Sequence, residues 1–281
     1  MILPYNVDVP MARMPLANWA VIAVTSLVSL GILAGMWSDP PSRSRGGRDD
    51  PWHNIPLKNI PPEELNDYLD AVMREAEHSL PPLALKRDGF SLPQLVSYLF
   101  VHADLLHLIG NMLFLFVFGN AVNAKLGHGL FIGFYLLLGA LAGGAWLVMS
   151  SGPALVGASG AIMGLVGIFF VLFPRNDVQI LYMFSLMWTG TFRVSAYWVI
   201  LFYMGCDLYG TLRGEGAVAY VAHLAGGVGG MASAFALVAW GWAKPARGEE
   251  NLLQVLGLRK KRKTHQEELW DAKKELRKKR G

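Results

Sequence analysis

The chain has little cysteine and little charge. A single cysteine, Cys206, excludes an internal disulfide framework and any Cys-based zinc site. It lies in an apolar stretch and reads as an inert buried thiol. Neither a CxxC nor an HExxH pattern occurs, which weighs against zinc chemistry. Charged residues make up 16% of the chain, where a soluble globular protein carries about 25%. Hydrophobic residues reach 53%, with a mean hydropathy of +0.34. That balance is an aggregation liability in water and suits a chain whose solvent is largely lipid. The apolar residues are gathered into runs, so the 281 residues read as one membrane bundle with polar appendages.

The formal charge of +4 hides an asymmetry. From Lys244 onward there are 13 Lys and Arg against 6 Asp and Glu, while the rest of the chain carries 12 against 15. The basic character belongs to the tail, which a membrane protein's cytoplasmic end explains. Membrane lipid is therefore an expected partner and nucleic acid is not.

Spanning a bilayer's hydrocarbon core takes about 20 apolar residues. Asn18–Trp37 meets that length without a charge, too long for a signal-peptide core, and reads as a retained first helix. Residues 1–17 are a short N-terminus. From 38 to 90 the character changes to a Pro/Gly/Arg/Asp-rich linker. A short amphipathic helix is expected there, entered at Pro61-Pro62-Glu63-Glu64 and ended by Pro81-Pro82. Five further helices are expected between 91 and 243, at about Asp104–Val122, Gly129–Ser150, Ser159–Phe173, Val194–Leu212 and Ala219–Trp242. Val178–Thr191, apolar but set between Pro174 and Arg193, reads as re-entrant or interfacial as readily as a seventh span. The fold class is thus all-α, a polytopic six-helix transmembrane bundle. The basic tail at 244–281, which includes Arg259–Lys263, places the C-terminus in the cytoplasm by the positive-inside rule, and six spans place the N-terminus there too.

Glycine is abundant, at 31 residues, and much of it falls within the expected helices. In lipid, small residues let helix backbones approach closely. Gly160 and Gly164 form one small-xxx-small face, Gly226 and Gly230 another. Pairing those two faces would bring together the residues just before them, Ser159 and His223.

Polar side chains inside a bilayer are costly and need a partner or a task. The set here is His102, Asp104, His107, Asn111, Ser159, Asp207 and His223. Nucleophilic acyl transfer is the chemistry such a set offers. A serine hydroxyl needs a base to take its proton, and a neutral histidine is suited to that near pH 7. The tetrahedral intermediate then needs donors, for which a helix-N-terminal N–H, an Asn amide and a His N–H are suitable. Each residue alone has a plainer reading: a serine in a Gly/Ala-rich helix as a packing residue, a lone intramembrane histidine as an interhelical hydrogen-bonding group. The three segments in order are far more specific than any one of them.

Those segments carry a resemblance. His102-Ala-Asp-Leu-Leu-His107-Leu-Ile-Gly-Asn111-Met, Gly157-Ala158-Ser159-Gly160 and Ala222-His223-Leu-Ala-Gly226-Gly227 resemble motifs of the rhomboid family of intramembrane serine proteases, over roughly Leu92 to Trp240. Gly190-Thr191-Phe192 is similar to many members as well. The resemblance implies a Ser–His dyad without an acid, with Ser159 as nucleophile and His223 as base. Asn111, His107 and the Ser159 N–H would form the oxyanion hole, with His102 in support. It implies hydrolysis within or near transmembrane segments of single-pass or other membrane proteins, no metal or organic cofactor, and residence in a cell membrane.

Two departures from the family stand out. Val122-Asn123-Ala124-Lys125-Leu126 replaces a stretch that often carries Glu and Arg, and Met163 stands where an aromatic often stacks on the catalytic histidine. Other readings are a non-catalytic rhomboid-like protein that escorts transmembrane helices, a transporter, and a haem or metal site built from His102, His107 and His223. The first lacks the serine or the histidine in its known forms. Transporters show internal repeats, which this chain does not. The spacing of His102 and His107 is not that of shared ligation on one helix face.

Overall fold

A computed structural model describes residues 2–38, 81, 83–150, 152–185, 188–213, 217–243, 245, 249–260 and 270. The amphipathic helix expected after Pro61, and the tail bases beyond Lys260, lie outside these residues. Strand β1 (Ile2–Val7) precedes helix α1 (Leu16–Ser38). Strand β2 (Leu85–Lys86), short helix α2 (Gln94–Ser97) and a 3-10 turn at Tyr98–Phe100 lead into α3 (Leu105–Leu126) and α4 (His128–Met149). Strand β3 (Ala154–Leu155), which pairs with β2, introduces α5 (Ser159–Leu172). Strands β4 (Asp177–Ser185) and β5 (Trp188–Ser195) follow, then α6 (Ala196–Arg213), α7 (Ala217–Ala239) and the one-turn helix α8 (Leu252–Val255).

All six expected long helices form. Four of them, α1, α3, α4 and α7, contain stretches long and apolar enough to cross a membrane. The chain is a multi-pass integral membrane protein. Helix α1 shows what lipid does to amphipathicity: Asn18, Thr25, Ser29 and Leu33 are buried at helical spacing, while Val24, Leu27 and Leu30 face outward. Polar side chains seek the bundle, where partners exist, and the apolar ones meet lipid.

Helix α5 is the bundle's axis, with 12 of its 14 residues buried. Its glycines set the packing. A Cβ on Gly226 or Gly230 would collide with the carbonyl oxygens of Gly160 and Gly164, and one on Gly167 with that of Gly227. The two small-residue faces anticipated above are the α5–α7 interface. On α5's other side, a Cβ on Gly160 would meet the Ala142 methyl of α4 at 2.6 Å.

Helix α3 carries a π-helical stretch at Leu115–Gly119 and continues to Leu126, past the expected end at Val122. Widening the helix frees carbonyls for other donors. Asn18 Nδ2 donates to the Leu115 carbonyl at 2.9 Å and to Asn120 Oδ1 at 2.8 Å, while Asn18 N–H donates to Asn123 Oδ1 at 3.2 Å. The unusual Val122–Leu126 stretch is therefore a buried helix end that ties α1 to α3 through amides.

The segment Val178–Thr191 is extended rather than helical in its described residues, with Val178 and Ile180 packed in the buried core. It forms the β4–β5 hairpin, with β1 added antiparallel on the β4 side to make the order β1-β4-β5. Tyr5 is bulged out of the β1 register between Pro4 and Asn6, and Pro4 stands on an edge strand, where its missing N–H does least harm. The sheet lies where α5 ends and α6 begins. The tail docks at the same end, through ion pairs of Lys125 with Glu249 and of Arg175 with Glu250 at 3.0 Å. Asn251 and Gln254 form a capping box on α8, and Leu252 and Leu253 pack on the core. N-terminal strand and tail thus share one end of the bundle. Cys206, expected to be buried, is exposed on α6.

Candidate active site

The site lies at the opposite end, where α3 and α5 begin and α6 ends. Asp104 caps α3, its carboxylate accepting from the His107 N–H at 2.8 Å, which fixes the first turn of the helix. That turn carries His107, and the next carries Asn111 on the same face.

The loop before Ser159 is clamped from two sides. Gly157 donates to the Tyr98 carbonyl at 3.0 Å, and Tyr98 Oη donates to the Gly139 carbonyl at 2.8 Å. Gly157 has a φ of +112°, and a Cβ there would lie 2.9 Å from His107 Cε1 and 3.7 Å from Asn111 Nδ2. Only glycine both adopts that backbone and leaves the donors their space.

His102, fully buried, is the second clamp. Its Nε2 accepts from the Ala158 N–H at 3.4 Å, and its Nδ1 lies 2.9 Å from Ser29 Oγ. The Ser29 hydroxyl donates to the Phe100 carbonyl at 2.8 Å, so it must accept from His102 Nδ1–H. The ring is held neutral, in one tautomer, between α1 and the residue before Ser159. Burial, followed by the neighbouring His107, pushes His102 down to about 4. Both ring nitrogens are used, which removes His102 from any shared metal site.

Ser159 starts α5, where the first N–H groups of a helix have no intrahelical acceptor. Its Oγ lies 2.8 Å from His223 Nε2, on the second turn of α7. On the other side of the imidazole, His223 Nδ1 is 3.0 Å from Asp207 Oδ1 of α6. Ser159 and His223 are partly buried, and Asp207 is 8% exposed.

A cavity of about 330 Å³ opens onto this group, lined by His107, Asn111, Ser159, Met163, Asp207 and His223. Phe114 of α3 and Tyr203 of α6, which also line it, meet edge-to-face at 5.2 Å one turn deeper. Asn111 is 8% exposed, and its Nδ2 is buried with no hydrogen-bond partner among the described residues. Met163, one turn below Ser159 on α5, lies on the cavity wall.

The four residues singled out from sequence, Ser159, His223, Asn111 and His107, come together around one cavity. Two others matter that the motifs did not assign. Asp207 was legible only as a costly intramembrane acid. Ser29 gave no signal, since a serine in an apolar span reads as packing.

A helical membrane bundle that holds a serine against a histidine at the head of its central helix defines a narrow class. The Rhomboid domain profile matches residues 90–240, more than half of the sequence. The chain belongs to the rhomboid family. Similar proteins include the mouse Rhomboid-related protein 2, 33% identical over 142 residues, covering 48% of this chain and 45% of that one. Rhomboid protease GlpG of Klebsiella pneumoniae is 30% identical over 139 residues (50% and 46% covered), and that of Salmonella paratyphi A 28% over 146 residues (52% and 49%). The chain spans about half the length of these curated relatives.

Proposed function

We propose that the chain is an intramembrane serine endopeptidase that hydrolyses peptide bonds in or near transmembrane segments of other membrane proteins. The observation that carries this reading is the 2.8 Å contact between Ser159 Oγ and His223 Nε2 on the wall of an accessible cavity. Relatives named as proteases add support.

In this reading His223 Nε2 takes the hydroxyl proton as Ser159 Oγ attacks the scissile carbonyl carbon. The oxyanion is met by Asn111 Nδ2, a His107 ring N–H and the Ser159 N–H. An unpartnered amide beside the nucleophile suits that task, since its acceptor arrives only with the intermediate. The C–N bond breaks as His223 returns the proton to the leaving amine. Water then attacks the acyl-enzyme, losing its proton to His223, and releases the carboxylate and free Ser159.

The depth of the site fits a membrane substrate. At about 1.5 Å per residue, α5 rises roughly 21 Å, short of the roughly 30 Å hydrocarbon core. With the basic tail in the cytoplasm, the shared end of N-terminal strand and tail faces inward and Ser159 lies below the outer surface. No cofactor takes part in these steps.

A fluorophosphonate probe on the detergent-purified protein tests the reading. Labelling of the wild type and none of Ser159→Ala is expected. In cleavage assays Ser159→Ala, His223→Ala and the double variant should fall to the same residual rate, because each single change disables the pair. A wild type that binds transmembrane peptides yet neither labels nor cleaves would point instead to a helix-escorting, non-catalytic role.

A further inference from the structure

We infer that Asp207 is a positioning residue that completes a Ser159–His223–Asp207 relay, so that this chain departs from a Ser–His pair working alone. The inference rests on the protease reading above.

Helix α6 places Asp207 where an apolar residue is expected. Ala196, Ile200, Asp207 and Gly210 are buried at helical spacing, whereas Trp198, Leu201, Phe202, Leu208 and Tyr209 face outward. An acid on the inward face of a membrane helix is costly unless a partner compensates. Here that partner includes the imidazole, through the 3.0 Å contact of Asp207 Oδ1 with His223 Nδ1.

A carboxylate only accepts hydrogen bonds. The contact therefore places the ring hydrogen of neutral His223 on Nδ1 and leaves Nε2 with the lone pair that must receive the Ser159 proton. It also sets a negative charge beside the imidazolium that forms in the transition state. The ring is held from both edges, by Ser159 and by Asp207. A residue at position 163 that stacks on its face is then less necessary, which accounts for Met163 there. Other titratable groups facing His223 are His107 from α3, with Asp104 at that helix's cap, and Tyr203 of α6 within the same cavity. Asp207, rather than any of these, is in hydrogen-bond contact with Nδ1.

Two substitutions separate positioning from a merely structural role. In Asp207→Asn the amide can donate to Nδ1, which traps the tautomer with hydrogen on Nε2 and removes the base. A buried Asp-to-Asn change of this kind costs about 10⁴ in kcat in a soluble serine protease, and a loss on the order of 10²–10⁴ is expected here. Asp207→Ala leaves the ring free to choose its tautomer and should lose less. A packing role predicts the reverse order, since Asn is the closer isostere.

The second readout needs no turnover. With ¹⁵N-histidine, the His223 resonances, assigned by difference against His223→Gln, should show Nδ1 protonated in the wild type and Nε2 protonated in Asp207→Asn. Asn tolerated better than Ala, or a wild-type ring carrying hydrogen on Nε2, would overturn the inference. A wild type that fails to cleave but shows the Nδ1–H tautomer would sink the protease reading and leave the Asp207 contact standing.

Discussion

Gly230 of α7 lies so close to the carbonyl oxygen of Gly164 on α5 that no side chain fits between them. The same holds one turn earlier for Gly226 and Gly160. These contacts are what hold Ser159 and His223, on separate helices and 64 residues apart, within hydrogen-bond reach.

Gly230→Ala should therefore act at a distance. The added methyl meets backbone, which cannot swing aside as a flexible side chain does, so α7 must shift against α5. A misplacement of about 1 Å at a reacting pair can cost on the order of 10²-fold in rate. The variant should insert in the membrane yet lose most probe labelling of Ser159. Gly133→Ala is the control: nothing lies within 4 Å of a Cβ there, and labelling should match the wild type. Equal labelling of the two variants would show that the helix pair tolerates the shift.

Asn111→Ala should slow turnover far more than it weakens substrate binding, because its free amide is asked to serve only the oxyanion. Loss of one such donor costs about 10²–10³ in soluble serine proteases, and the His107 ring and Ser159 N–H make a smaller loss the expectation here. The check is kcat and KM measured separately on one transmembrane substrate. A loss confined to KM would assign the amide to substrate binding.

His102 gives the fold an acid sensitivity near the nucleophile. Its pKa falls from 6.5 to about 4 on folding, so the unfolded chain binds this proton more readily. The contribution is intact above pH 6.5 and is lost progressively as pH falls toward 4. Protonation would also take Nε2 from the Ala158 N–H. The melting temperature in detergent should drop across that window, and drop less steeply in His102→Gln. Parallel melting curves for the two proteins would place the sensitivity elsewhere.

Much of the architecture was legible without coordinates, and for physical reasons. Lipid demands runs of about 20 apolar residues, so the long helices declared themselves by length. It also penalises polar side chains, so Asn111, Ser159, Asp207 and His223 stood out by being there at all. The glycine faces were readable because small residues at a four-residue spacing have few other uses in a membrane helix.

Pairings that leave no local pattern were not readable. The stretch Val178–Thr191 read only as an apolar run, because the strand that pairs with it, β1, lies about 170–180 residues away and contributes no local pattern. Ser29, likewise, is an ordinary small residue until α1 is laid against His102.

The sequence by itself determined a polytopic helical bundle, its glycine-lined helix pair, and the serine, histidine and asparagine that meet there, since lipid leaves so few ways to accommodate each. Only the tertiary structure decided that Asp207 faces His223 and that Ser29 fixes the tautomer of His102. Those facts depend on how α6 and α1 are rotated about their own axes, and helix rotation is set by packing against neighbours rather than by composition.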